Sequence, residues 1–339
     1  MHSKQYQCQF FLTLTPDLKK YLRSKFKGHK VNISDEILSL EKLDPNTEVL
    51  GTFVDSQIDK KVFDRLKKLK LIITLSTGFD HIDLSAAKKK KVTVCNVPTY
   101  GENTVAEYTI GMMLALSRKF FQSVKRVKQE GIYDYHGLRG FDLAGKTIGV
   151  LGTGNIGQHV IKMLHGFDVN ILAYDVFKNQ KLIDDYGVKY VPLPTLFSQS
   201  DIITLHVPLL DSTRYIINKK SIKKMKKGVY IINTARGGLI DSEALLWGLK
   251  NEIVAGAGLD VLDNEDLLED TLKLLRAKCD PLNTRKSLMN SLLIDHPNTI
   301  VTPHNAFNSN EAVKRIIDTS IQNFRQFALG KTQNKVNSV

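Results

Sequence analysis

Three side chains in the second half of the chain, Arg236, Glu265 and His304, have the types needed for acid–base work on an anionic substrate. A guanidinium fork grips a carboxylate, an imidazole exchanges a proton near neutral pH, and a neighbouring carboxylate orients the imidazole. A hydride carrier would complete that chemistry, and the chain has a place for one. Gly152-Thr153-Gly154-Asn155-Ile156-Gly157 has the spacing of a dinucleotide turn: Gly152 for the tight bend, Gly154 for close approach to a pyrophosphate, Gly157 for helix–strand packing. A helix N-terminus after the turn supplies open N–H groups for the anion. Asp175 follows Gly157 by 18 residues, where a carboxylate hydrogen-bonds both ribose hydroxyls and repels a 2′-phosphate. NAD is thereby favoured over NADP, and the constellation suggests proton transfer coupled to hydride transfer on a carboxylate-bearing substrate.

The elements that must position these groups are legible around them. Residues 147–151 are a branched apolar run that suits a buried parallel strand; Ile156, Val160, Ile161 and Leu164 fall at helical spacing, and residues 169–174 read as a second strand ending at Asp175. Four later stretches, 202–208, 229–238, 254–261 and 299–304, are apolar strands that each deliver polar groups at their C-terminal ends, and one open parallel sheet would line these along a single crevice. Earlier in the chain, runs at 5–14, 49–54, 69–76 and 92–96 alternate with helical patterns at 16–26, 59–69 and 83–90, which describes a smaller α/β domain. Its Ser76-Thr77-Gly78-Phe79-Asp80-His81 turn follows a strand. Residues 98–101 form a candidate hinge ahead of a helix over 102–119, apolar on more than one face and expected in a domain or subunit interface, where Met112 and Met113 fill core. A C-terminal helix over 310–330 is expected to return to the first domain, with a frayed tail over 331–339.

Composition bounds the rest. With 339 residues, 42% hydrophobic and 24% charged, about two ordinary globular domains are expected. No apolar run of membrane-spanning length and no signal-like segment is seen, so a cytoplasmic protein is expected. Cys8, Cys95 and Cys279 stand apart, without disulfide or metal spacing, and are expected to be reduced and buried; no metal is expected. The formal charge of +13 gathers in Lys88-Lys89-Lys90-Lys91 and around Lys223 to Lys227. Both runs fall at predicted helix ends, where cations complement the dipole, and no aromatic ladder accompanies them, so nucleic acid is not the expected partner. His81 and His206 are expected to be hydrogen-bonded structural histidines.

Five ordered motifs carry a resemblance: the glycine turn with Asp175, His206-Val207-Pro208, Asn233-Thr234-Ala235-Arg236-Gly237, Gly258-Leu259-Asp260-Val261 with Glu265, and Thr302-Pro303-His304. With them the chain resembles, over nearly its whole length, the D-isomer-specific 2-hydroxyacid dehydrogenases. The resemblance implies an α/β fold of two Rossmann/flavodoxin-like open parallel-sheet domains with an interdomain active-site cleft. Residues 1–100 and 301–339 would form the substrate-binding (catalytic) domain and residues 101–300 the NAD-binding domain. Arg236 would hold the substrate carboxylate and polarise its keto oxygen, His304 would donate the proton in reduction and accept it in oxidation, and Glu265 would orient His304. Backbone N–H groups around Thr77 and Gly78 would bind the carboxylate, with Tyr100 nearby. Asp260 would sit by the nicotinamide amide, while Asn155, Ile156, Val207, Pro208, Thr213, Thr234 and Ala235 line the cofactor path.

The chain departs from the commoner pattern, in which the catalytic Glu precedes Pro in a shorter segment. Here Asp266-Leu267-Leu268 follow Glu265 and an insertion runs to Asp295, an arrangement similar to the D-lactate dehydrogenase branch. Tyr100 and Phe307 fit the same branch, where an aromatic side chain packs on a small substrate. The implied reaction interconverts a small 2-keto acid and its D-2-hydroxy acid, pyruvate and D-lactate leading, in a homodimer without membrane or nucleic-acid partners. A glycerate, phosphoglycerate or branched-chain substrate, and an NAD-sensing interaction protein akin to the co-repressors of this fold, remain open at this point.

Overall fold

Short β-branched runs separated by amphipathic helices cannot pair as hairpins; each crossover helix returns the chain to lay the next strand parallel to the last. The computed structural model, which describes residues 4–263, 265 and 281–337, follows that rule in two compact units, residues 1–100 with 308–339 and residues 101–307. Among the described residues no helix is long and apolar enough to cross a membrane.

In the first unit five parallel strands, β1 (Gln7–Phe11), β2 (Lys30–Ser34), β3 (Val49–Thr52), β4 (Leu71–Thr74) and β5 (Thr93–Cys95), lie in the order β2-β1-β3-β4-β5, the flavodoxin-like arrangement. The intervening helices α1 (Pro16–Lys25), α2 (Lys60–Arg65) and α3 (Leu84–Lys89) start at side-chain caps from Thr15, Asp59 and Asp83. Strand β2 was not apparent in the sequence, because an edge strand buries little: only Ile33 of Lys-Val-Asn-Ile-Ser is buried. Cys8 and Cys95 are buried free thiols, and burial pushes their pKa values up to about 12 and about 11. Cys279 lies outside the described residues.

The C-terminal tail corrects the expectation of fraying. Asn96 N–H donates to the Asn334 carbonyl and Val336 N–H to the Val94 carbonyl, while the Asn337 side chain accepts from Val94 N–H and donates to the Val92 carbonyl. The tail thus covers the open edge of β5, whose backbone groups need partners that a polar composition does not advertise.

The second unit holds seven parallel strands: β6 (Thr147–Leu151), β7 (Asn170–Tyr174), β8 (Lys189–Tyr190), β9 (Ile202–Leu205), β10 (Val229–Asn233), β11 (Val254–Leu259) and β12 (Thr299–Val301). Their order, β12-β11-β10-β9-β6-β7-β8, is that of a Rossmann sheet with a seventh strand added, and the winding reverses between β6 and β9. Around it run α4 (Glu102–Ser117), α5 (Phe120–Lys128), α6 (Asn155–Leu164), α7 (Gln180–Tyr186), α8 (Leu193–Gln199), α9 (Lys219–Ile222), α10 (Ser242–Lys250) and α11 (Pro281–Asp295). The expected helix over 102–119 ends at Ser117, and a left-handed Lys119, φ 51°, starts α5 in a new direction. Both apolar faces of α4 are used inside this unit's own core: Met112 and Leu116 close over Gly258, and Ile110 and Met113 join Val160 and Ile161 of α6. The exposed apolar side chains sit instead on α5. The two-residue β8 was also missed, being too short for any periodicity to register. Residues 266–280 of the insertion lie outside the described residues; α11 forms its remainder.

Candidate active site

Six strands of the second unit end in register, and this carries the site. Tyr174 lies opposite Leu151, Leu151 opposite Leu205, Leu205 opposite Asn233, Asn233 opposite Leu259, and Leu259 opposite Val301. The residues that leave those positions are Asp175, Gly152, His206, Thr234, Asp260 and Thr302, so the expected groups line one edge at a spacing of about 4.8 Å per strand.

At the winding reversal sits the glycine turn. Gly152 has φ +93° and a Cβ there would come within 2.6 Å of the His206 carbonyl carbon, so only glycine fits against the end of β9. A Cβ at Gly157 would meet the Gly152 carbonyl oxygen at 2.0 Å, which explains the third glycine as a packing requirement. Among the described residues Gly154, by contrast, has nothing within 4 Å of an added Cβ, and no side chain caps α6. The first N–H groups of α6, from Asn155 and Ile156 onward, are therefore free to receive an anion. Asp175 Oδ2 accepts from Thr153 N–H at 2.6 Å and from Thr153 Oγ1 at 3.1 Å, and Oδ1 accepts from Phe177 N–H at 3.1 Å. With about four lone-pair positions on a carboxylate, one remains, on Oδ1. The expectation that Asp175 takes both ribose hydroxyls is narrowed accordingly.

His206 has the structural character expected of it. Its Nε2 pairs with Thr204 Oγ1 at 2.9 Å, its enclosed Nδ1 has no partner among the described residues, and burial pushes its pKa down to about 3. Its N–H is held by the Leu151 carbonyl at 2.7 Å, which sets Val207 and Pro208 over the glycine turn. Thr213 spends its hydroxyl within its own loop, donating to the Pro208 carbonyl at 2.6 Å and accepting from Leu210 N–H at 2.8 Å. Thr234 is buried against Thr109, 2.9 Å between hydroxyls.

The catalytic candidates lie on the other side of the reversal. The Asn233 side chain clasps the next turn: its Oδ1 accepts from Ala235 N–H at 3.0 Å and its Nδ2 donates to the Arg236 carbonyl at 2.9 Å. Arg236 emerges from that clasp, with Nη1 donating to the Ala235 carbonyl at 2.8 Å. Gly237 follows because a Cβ would lie 2.1 Å from the Leu262 backbone. His304 Nδ1 is 2.8 Å from Glu265 Oε1, and Glu265 Oε2 accepts from Leu262 N–H at 3.2 Å. The pairing fixes the ring and leaves Nε2 as the nitrogen not engaged by Glu265.

Asp260 has a task the sequence did not disclose. Buried at 1% exposure, its Oδ1 accepts from Thr302 Oγ1 at 2.6 Å and Asn305 N–H at 2.8 Å, and its Oδ2 from Ala306 N–H at 2.9 Å. The Asp260 carbonyl accepts from His304 N–H at 2.8 Å. Asp260 therefore holds the loop in which His304 adopts a left-handed φ of 49°. Nearby, Asp263 is fixed by Lys286 at 2.9 Å and by Tyr215 Oη at 2.6 Å, and its carbonyl by Asn290 Nδ2 at 2.7 Å, which anchors the approach to Glu265 on α11.

In the first unit, Thr77 and Gly78 leave β4 in a turn tied by Ser76 Oγ to the Gly78 carbonyl at 2.6 Å and by Thr77 Oγ1 to the Val97 carbonyl at 2.9 Å. The N–H groups of Thr77 and Gly78 carry no hydrogen bond among the described residues. His81 is buried, with Nε2 3.3 Å from Thr74 Oγ1. Tyr100 and, in the second unit, Phe307 are half-buried.

Residues 110–306 match the family model of the D-isomer specific 2-hydroxyacid dehydrogenase, NAD binding domain. The D-lactate dehydrogenase of Escherichia coli is 36% identical over 320 residues, covering 93% of this chain and 94% of its own. The chain belongs to the D-isomer-specific 2-hydroxyacid dehydrogenases. An aromatic 2-oxoacid reductase of Clostridium sporogenes is 37% identical over 90% of this chain and 91% of its own. Among solved structures, D-lactate dehydrogenase from Aquifex aeolicus, complexed with NAD and lactic acid, superposes with a TM-score of 0.84 at 32% identity, covering 96% of each chain.

This dehydrogenase is accordingly an NAD-dependent oxidoreductase, and its glycine turn, uncapped α6 and Asp175 suit that cofactor. Sequence reasoning overlooked the residues that hold the machinery: Asn233 as a clasp, Thr302 as an Asp260 partner, and Tyr190, whose hydroxyl meets Thr153 Oγ1 at 2.9 Å. Asn233 was visible as part of its motif; Tyr190 carried no signal at all.

Proposed function

We propose that this dehydrogenase reduces a small 2-keto acid to its D-2-hydroxy acid with NADH, pyruvate and D-lactate being the leading pair. The observation that carries the reading is the 2.8 Å contact of His304 Nδ1 with Glu265 Oε1 at the edge that also bears the dinucleotide turn. Bound NADH supplies a hydride to the substrate carbonyl carbon. His304 Nε2 gives the proton to the keto oxygen, while Glu265 keeps Nδ1–H engaged and the ring oriented. Arg236 engages the substrate carboxylate and polarises the keto oxygen. The unpaired N–H groups of Thr77 and Gly78 are assigned to the same carboxylate, with Tyr100 and Phe307 against the substrate side chain. On the cofactor side, Gly152, Gly154, Asn155, Ile156 and Gly157 take the pyrophosphate and Asp175 the ribose, with Val207, Pro208, Thr213, Thr234, Ala235 and Asp260 along the remaining path.

The test is kcat/KM across 2-keto acids from glyoxylate through pyruvate and branched-chain acids to phenylpyruvate, each with NADH and NADPH. The expected optimum is a small aliphatic acid with NADH, and His304→Ala loses about 10²- to 10⁴-fold in both directions. No cofactor oxidation with any acid would sink the reading; an optimum at phenylpyruvate would move the substrate toward that of the C. sporogenes reductase.

We further infer a homodimer, supported by Phe120, Phe121, Val124 and Val127 on α5, all exposed in the single chain. We place the protein in the cytoplasm, where the free thiols Cys8 and Cys95 stay reduced.

A further inference from the structure

The hydrogen bonds behind Asp175 run in one direction and begin at a residue far from the glycine turn. Asn179 N–H donates to Tyr190 Oη at 3.1 Å, Tyr190 Oη donates to Thr153 Oγ1 at 2.9 Å, and Thr153 Oγ1 donates to Asp175 Oδ2 at 3.1 Å. The direction is forced. A threonine hydroxyl has one proton, and Asp175 Oδ2, as a carboxylate oxygen, can only accept it; Tyr190 must then supply its own proton to Thr153, and its oxygen is left to accept from Asn179. Each hydroxyl is used as donor and acceptor, and the chain terminates on the carboxylate.

The consequence for Asp175 is orientation. Oδ2 is filled by two donors from Thr153, so the carboxylate plane cannot turn without breaking both, and one acceptor position remains on Oδ1 beside the one taken by Phe177 N–H. A carboxylate free to rotate could swing away from a 2′-phosphate; one pinned at Oδ2 keeps its charge where that phosphate would lie. We propose that Thr153 and Tyr190 are positioning residues that make Asp175 selective for NADH over NADPH. The proposal rests on the reading of Asp175 as the ribose ligand. It gives the Thr between the first two glycines a role beyond filling the turn, and it gives the two-residue strand β8 a reason to end in tyrosine.

The experiment measures the Kd of NADH and of NADPH by fluorescence titration, and kcat and KM for each at saturating pyruvate, in the parent and in Tyr190→Phe, Thr153→Val, Thr153→Ser, the Thr153→Val/Tyr190→Phe double variant and Asp175→Ala. Loss of one such hydrogen bond corresponds to about three- to tenfold. Tyr190→Phe and Thr153→Val are expected to lower the NADH/NADPH ratio of kcat/KM by that factor, read in the cofactor KM rather than in kcat. Thr153→Ser should restore the ratio. Because the two residues act in series, the double variant should fall no further than Thr153→Val alone. Asp175→Ala should collapse the ratio beyond either.

If Asp175→Ala collapses the ratio while Tyr190→Phe and Thr153→Val leave it unchanged, the positioning role is wrong and the ribose reading stands. If Asp175→Ala leaves the ratio unchanged, the ribose reading fails and takes this inference with it. Equal losses with both cofactors would assign Thr153 and Tyr190 to folding alone and overturn the proposal. Tyr190→Phe, which keeps the ring in place, carries the test should Thr153→Val not fold.

Discussion

Replacing Asp260 separates the loop that holds His304 from the proton transfer proposed for His304 itself. In the structure the carboxylate receives Thr302 Oγ1, Asn305 N–H and Ala306 N–H at 2.6, 2.8 and 2.9 Å. Asp260→Asn can keep its carbonyl oxygen toward the first two, because both converge on Oδ1, but must then point an amide N–H₂ at Ala306 N–H. That leaves one buried donor unpaired against another, a cost of about 1–3 kcal/mol. Asp260→Ala forfeits all three bonds, each to a charged acceptor and each worth about 1.5–3 kcal/mol. It also loosens the loop around the left-handed φ of His304, a conformation that costs about 1–2 kcal/mol for a residue with a Cβ, while the His304 N–H bond to the carbonyl of residue 260 survives. The loop is free to relax toward water rather than bear the full sum, so the effect should concentrate in turnover. We expect kcat/KM for pyruvate reduction to fall about tenfold in Asp260→Asn and at least about a hundredfold in Asp260→Ala. Far-ultraviolet circular dichroism should show both folded. The assay is NADH oxidation at 340 nm with melting temperature recorded alongside. An Asp260→Ala protein within threefold of the parent would refute the argument that this carboxylate holds the proton donor in place.

Two further outcomes are expected. His206 is held neutral by burial, with its pKa pushed down to about 3 in the folded chain against about 6.5 unfolded, so the unfolded chain protonates first. Its contribution is complete above about pH 6.5 and is lost as pH falls from there toward 3, at about 1.4 kcal/mol per pH unit. Urea midpoints between pH 6.5 and 5 should therefore decline in the parent and flatten in His206→Gln; equal slopes would refute it. Placing a charge at Phe121→Asp on α5 should convert the proposed homodimer to monomer by light scattering, and an unchanged mass would exclude α5 as the contact.

How much could be read beforehand depended on how much each residue's environment imposes on its type. The strands of the second sheet bury both faces and so appear as unbroken apolar runs, which is why β6, β7, β9, β10, β11 and β12 were each visible. Strand β2 sits at an edge with one buried side chain, β8 has two residues, and the tail on β5 is bonded through its backbone and asparagines. None of these demands hydrophobic residues, so none leaves a pattern. The break between α4 and α5 depends on one left-handed residue, Lys119, where glycine would have announced the turn and lysine does not.

For the site the division is between residues that touch a ligand and residues that hold those residues. Arg236, Glu265 and His304 stood out because their chemistry is unusual at the end of an apolar strand. Asn233, Thr302, Thr153 and Tyr190 did not, since a polar side chain bonded to a neighbouring loop has no signature in spacing. The Asn233 clasp couples two strands: its carbonyl accepts from Asp260 N–H at 2.9 Å while its side chain shapes the Arg236 turn. Asp260 in turn holds the His304 loop. Arg236 and His304 are thus linked through two buried residues, Asn233 at the end of β10 and Asp260 just past the end of β11, joined by that backbone bond, and a displacement at either should be felt at both. Asn233 is legible in the sequence only as part of a motif and Asp260 only as a cofactor contact, yet the geometry makes them the frame through which Arg236 and His304 keep their spacing.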